Sequence, residues 1–230
     1  MKVILFGASG MVGQGVLREC LLDPRVESVL VVVRKSLGVR HPKLAEVIHR
    51  DFLDFSMLSR EFAGADACFF CLGISSVGRG EEEYTRVTRG YTLAAARALP
   101  ADPALTFVYV SGEGTDSTGR GRSMWARVKG RTENELLAMD FHAYMFRPGY
   151  IQAMHGATSK TPLYRWLYRV GSWLYPVLRR VIPGHVTTTE NVGRAMLEVT
   201  GWQGSGEHVL DSARINLAAW ASGTEGGSTS

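Results

Sequence analysis

Val3-Ile-Leu-Phe-Gly7-Ala-Ser-Gly10-Met-Val-Gly13 joins a short apolar run to three glycines placed three residues apart. The spacing predicts a strand over Val3–Phe6, a tight glycine turn, and a helix over about 11–22 in which Met11, Val12, Val16 and Leu17 recur on one face. Glycines at these places let the backbone turn sharply and come close to a pyrophosphate, whose charge then sits at a helix N-terminus. The motif follows a strand and opens a helix, which is the context it needs. A nucleotide cofactor is therefore the first functional expectation.

The rest of the chain repeats the alternation. Ser28–Arg34 is a continuous β-branched run, typical of a parallel strand buried on both faces. Ala45–His49, Ala67–Leu72, Leu105–Ser111 and His142–Phe146 follow as strands, with His208–Leu210 as a seventh. Tyr84, Val87, Tyr91, Ala94 and Ala98 recur at helical spacing, as do Trp125, Val128, Thr132 and Leu136. Strands alternating with helices predict an α/β fold with a doubly wound parallel sheet, ligands lying at the C-terminal strand ends. One domain is expected over residues 1–221, including a substrate lid at about 155–186. The Gly/Ser/Thr-rich residues 222–230 read as a disordered tail.

Composition narrows the function classes. The chain has 230 residues, 45% hydrophobic and 21% charged, with a net charge of +4. That is ordinary for a globular protein, and too mildly basic to argue for nucleic acid. Three cysteines (Cys20, Cys68, Cys71) leave no complete disulfide framework and suit a reducing compartment; a cytoplasmic location is expected. Cys68 and Cys71 stand three apart in an apolar strand, so they face opposite ways and are poor joint metal ligands. The six histidines show no metal-ligand spacing either.

Several side chains are placed to meet a dinucleotide. Arg34 and Lys35 end the second strand, where an acidic residue would bind the ribose of NAD. Basic residues there match a 2′-phosphate in charge and geometry, so NADP is expected over NAD. Asp51 and Phe52 follow the third strand, where the pair accepts a bond from an adenine amino group and covers its ring. Gly73 ends the fourth strand and lets the chain pass close to the cofactor.

These motifs, with Leu72, Val110-Ser111 and Arg147-Pro148-Gly149, come in the order seen in the short-chain dehydrogenase/reductase superfamily. The chain resembles its atypical, NAD(P)-dependent epimerase-like members, and among them the small Tat-interacting-protein-type oxidoreductases. The resemblance implies a cofactor lined by Gly7, Ser9, Gly10, Met11, Val12 and Gly13, then by Arg34, Lys35, Asp51, Phe52, Leu72 and Gly73, and finally by Lys129, Pro148 and Gly149. In that superfamily a serine works with a tyrosine and a lysine four residues further on. Ser111 matches the serine and Lys129 the lysine, but the tyrosine position is Trp125, and no tyrosine lies between Ser111 and His142.

An indole N–H donates a hydrogen bond but is no general acid or base near neutral pH. The proton then comes from elsewhere, with Tyr150 the first choice and Tyr84, Tyr91 and His155 the others. The alternative is a catalytically silent protein that senses a dinucleotide or acts as a scaffold. The loop Gly112–Arg122 is expected to shape the substrate pocket, with Arg120 and Arg122 meeting an anionic substrate or solvated. Thr161–Ile182 interleaves aromatic residues, leucines and four arginines; it reads as a lid over an apolar small-molecule substrate or as a peripheral membrane contact. The oligomeric state is expected to be a monomer or homodimer.

Overall fold

A computed structural model describes residues 1–157 and 180–224. Seven strands form one parallel sheet in the order β3-β2-β1-β4-β5-β6-β9: β1 (Lys2–Phe6), β2 (Ser28–Val33), β3 (Leu44–Ile48), β4 (Ala67–Phe70), β5 (Thr106–Val110), β6 (His142–Arg147) and β9 (Val209–Asp211). The helices are α1 (Met11–Leu22), α2 (Ser59–Phe62), α3 (Glu81–Thr85), α4 (Tyr91–Ala98), α5 (Met124–Leu137), α6 (Thr189–Thr200) and α7 (Ser212–Thr224). A π-turn at Arg86–Gly90 joins α3 to α4. The doubly wound α/β expectation is borne out, and the strand order reverses between β1 and β4.

Period two sorts the strand residues onto two cores. Val3 and Leu5 pack with Val16, Leu17, Val192 and Ile215 under α1, α6 and α7. Ile4 and Phe6 pack with Phe62, Leu93 and Leu136 under α2, α4 and α5. Phe6 is fully buried and meets Phe55 at 5.3 Å and Phe70 at 5.2 Å between ring centres. Burial of one such ring contributes roughly 2–3 kcal/mol. Cys68 lies in the second core and Cys71 against the first, so the two thiols do turn to opposite faces.

Glycine brings α1 and α6 together. A Cβ on Gly15 would lie 2.5 Å from Cβ of Thr189, and one on Gly193 would lie 2.8 Å from Cγ of Glu19. Glu19 is buried at this contact and pairs with Arg194 at 3.2 Å.

Two features depart from the sequence reading. A second, two-stranded parallel sheet pairs β7 (Tyr150–Gln152) with β8 (Val186–Thr188). Each strand has three residues, too few for alternation to show, and they meet only because the chain returns after 33 intervening positions. Helix α7 runs to Thr224, so the tail expected from residue 222 starts inside a helix. Most of the expected lid and membrane segment, residues 158–179, lies outside the described residues, as does 225–230 of the tail.

Candidate functional site

The glycine turn is built of backbone. Gly7 has φ +83°, and a Cβ there would lie 2.6 Å from the Cys71 carbonyl carbon and the Leu72 nitrogen. A Cβ on Gly13 would collide with the Gly7 carbonyl, so the third glycine lets α1 sit down on the end of β1. Gly10 is the N-cap of α1, with no side-chain cap and no acidic residue in the first turn. By contrast α6 is capped by Thr188, whose hydroxyl accepts from the Asn191 N–H at 2.9 Å. An uncapped N-terminus with open N–H groups is the arrangement that takes a phosphate. Ser9 and Val12 are half-buried around it and Met11 is buried.

Beside the turn opens a cleft of about 740 Å³, lined by Ser9, Gln14, Arg18, Lys35 and His41 among others. Arg34 and Lys35 follow β2 and are exposed. The Arg34 guanidinium stands 5.9 Å from the ring centre of Phe52. Phe52 is only 3% exposed, held by Phe6, Phe55 and Tyr91, so it backs Arg34 as a floor and presents little ring of its own. Asp51 is exposed and accepts from the Leu53 N–H at 2.9 Å. Leu72 is half-buried and Gly73 exposed, where β4 ends.

At the ends of β5 and β6 the site is built of side chains. Ser111 follows β5 and is buried, its hydroxyl bonded to the Glu133 carboxylate and 3.1 Å from the Phe146 carbonyl. The hydroxyl is thus engaged by partners on α5 and β6. Glu133 is a fully buried carboxylate that also receives the Arg147 guanidinium, at 3.1 and 3.2 Å from Nε. Sequence reasoning missed Glu133. The available signal was its place four residues after Lys129 and eight after Trp125, one row of the α5 surface.

Lys129 donates from Nζ to the Ser111 carbonyl and stands 5.9 Å from the Trp125 ring centre. Burial lowers its pKa from 10.5 to about 8, partly offset by the nearby Glu133 charge. Loop 112–122 folds onto this helix. A Cβ on Gly112 would lie 3.5 Å from Lys129 Nζ, and one on Gly114 would lie 3.3 Å from the Trp125 ring. Asp116 ties the loop by accepting from the Thr118 hydroxyl and the Gly121 N–H, both at 2.6 Å; these bonds hold its carboxyl below the usual range. Arg120 and Arg122 are exposed.

The expected proton donors are dispersed. Tyr84, in α3, is 2% exposed, and Tyr91 packs on Phe52. His155 pairs with Glu190 at 2.7 Å. Tyr150 donates to Gln152 Oε1 at 3.0 Å within β7. Pro148 is buried, and Gly149 donates to the Ser212 hydroxyl at 3.0 Å. Next to this end, Met154, Val186, Thr188, Asn216, Leu217 and Trp220 help line a cavity of about 640 Å³.

No protein-family model matches the chain. The chain is 27% identical over 218 residues to the protein HTATIP2 of Rattus norvegicus, covering 91% of this chain and 85% of that protein. It is 27% identical over 162 residues to the mitochondrial protein FMP52 of Meyerozyma guilliermondii, covering 68% and 69%. Among solved structures, an oxidoreductase of the short chain dehydrogenase/reductase family from Burkholderia thailandensis superposes with a TM-score of 0.66 at 16% identity, covering 92% and 91%. MoeE5, in complex with UDP-glucose and NAD, gives 0.67 at 18%, covering 97% and 82%.

The resemblance read from the sequence is borne out: the chain has the Rossmann fold of short-chain dehydrogenases and epimerases, and HTATIP2 is of the Tat-interacting type. The expected cytoplasmic location is overturned, because the FMP52 relatives from three yeasts are named mitochondrial.

Proposed function

We propose that this protein binds NADP(H) and acts as an oxidoreductase of the atypical short-chain dehydrogenase type on a small, largely apolar molecule. The observation that carries the reading is the uncapped N-terminus of α1 behind a turn in which Gly7 and Gly13 have no room for a Cβ. Exposed Arg34 and Lys35 favour the 2′-phosphate over a bare ribose. The end of β5 lies two strands from β1, about 10 Å across the sheet at the usual strand spacing. A ligand anchored at the turn therefore reaches the side chains at the end of β5.

A bound reduced dinucleotide supplies a hydride to a carbonyl carbon. The chain's own residues do the rest. Backbone N–H groups of α1 hold the phosphates, Arg34 selects the 2′-phosphate, and Lys129 binds the ribose nearest the reacting carbon. Buried Glu133 fixes Ser111 and Arg147, which sets the ends of β5 and β6 where the substrate lies. The cavity beside β7 and β8 offers both apolar walls and amide groups to orient that substrate.

Trp125 supports a second reading, a silent dinucleotide sensor, because the usual phenol is missing there. Fluorescence titration with NADPH tests the first reading: wild type should bind, and Gly10→Val should lose binding while its circular dichroism stays that of the folded sheet. Normal binding by a folded Gly10→Val protein would remove the phosphate from the turn. Consumption of NADPH with added carbonyl compounds separates the enzyme from the sensor.

A further inference from the structure

With tryptophan at residue 125, a carbonyl oxygen at this site still needs a proton. One ionisable pair stands at the same strand ends and has no other evident task. His185, in the short 3-10 turn Pro183–His185 before β8, turns its Nδ1 to the carboxylate of Glu113. Glu113 comes two residues after Ser111, and its N–H donates to the Pro148 carbonyl at 2.9 Å, bridging the ends of β5 and β6. The flanking glycines, Gly112 and Gly114, lie against Lys129 and Trp125. Gly149 completes the fit: a Cβ there would collide with the Glu113 carboxylate and the His185 carbonyl, so only glycine lets the pair form.

We propose that Glu113 and His185 are the acid–base pair of this site, in place of the absent phenol; the proposal rests on the dinucleotide reading above. Glu113 accepts from Nδ1–H, which fixes the tautomer and leaves Nε2 as the exchanging position. In carbonyl reduction the carbon gains a hydride, the Nε2–H bond of the imidazolium breaks, and an O–H bond forms on the oxygen. The neutral ring then takes a proton from water, which reaches it because the side chain is 60% exposed. Oxidation runs the same steps in reverse. Lys129, beyond Gly112, and the Glu133–Arg147 ion pair share this end of the sheet with Glu113.

The test uses full-length protein labelled with ¹⁵N-histidine, the His185 signals being assigned with His185→Gln. NADP⁺ should move the His185 ring resonances, while 2′-phospho-ADP-ribose, which lacks the nicotinamide, should bind and leave them in place. Equal shifts with both ligands, or none with NADP⁺ bound, would overturn the pair's placement. Failure of both ligands to bind would overturn the dinucleotide reading and the proposal together. His185→Gln should keep NADPH affinity yet slow NADPH-dependent reduction of 9,10-phenanthrenequinone by about 100-fold or more. An unchanged rate, or a wild type that binds NADPH and reduces no quinone, would overturn the chemical role.

Discussion

The two ends of the site are made differently. The glycine turn between β1 and α1 lies in the contiguous stretch 7–13, where the close contacts of Gly7 and Gly13 are with backbone. The far end gathers Ser111–Gly114, Trp125–Glu133, Arg147–Gly149 and His185, and it is held by charged and polar side chains. The first needs side chains to be absent at Gly7 and Gly13, where a Cβ would run into backbone. The second needs particular residues to be present together. The glycine turn is thus written locally, while the far end depends on the whole fold being right.

The largest expected effect probes that dependence. Arg147→Met leaves Glu133 buried without its cation, so stability should fall by about 3–5 kcal/mol. Urea denaturation measures it, and Gly10→Val, one helix turn into the other region, should cost far less. If Arg147→Met is as stable as wild type, the far end is not organised by this ion pair and the contrast collapses.

Arg34→Ala comes next. Loss of a charge-assisted phosphate contact costs about 1.5–3 kcal/mol, so NADPH should bind about ten-fold more weakly or worse, with NADH nearly unchanged. Isothermal titration with both cofactors decides it. Equal losses would mean that Arg34 acts through Phe52 and the local packing, making the anchoring end less purely backbone than described.

The smallest effect is a pH dependence at the far end. Lys129 titrates near 8 in the folded protein and near 10.5 when unfolded. Between those values the unfolded chain binds more protons, so this group makes stability rise with pH. Below about pH 8 it is charged in both states and the trend stops. Wild type should therefore gain on Lys129→Met between pH 8 and 10.5, by under about 2 kcal/mol for a half-buried side chain. Parallel denaturation curves at the two pH values, showing no relative gain, would mean that Lys129 is solvated as freely as a surface lysine.

The sequence by itself determined the sheet, the glycine turn and the basic residues after β2. Each of these is written in neighbouring residues: apolar runs of five or six, glycines at fixed spacing, and Arg34 directly after a strand. Periodicity carries such information because backbone hydrogen bonding imposes it.

Only the tertiary structure decided that Ser111 turns inward, that a carboxylate at position 133 is buried, that β7 finds β8, and that His185 meets Glu113. Read alone, a glutamate on a helix belongs at the surface and an isolated histidine says nothing. Glu133 is kept inside because Ser111, 22 residues back, and Arg147, 14 residues on, converge on it. Glu113 and His185 stand 72 residues apart and meet because Gly149 has no side chain to keep them separate. Contacts of that kind depend on where strands end in space, and no local pattern records them.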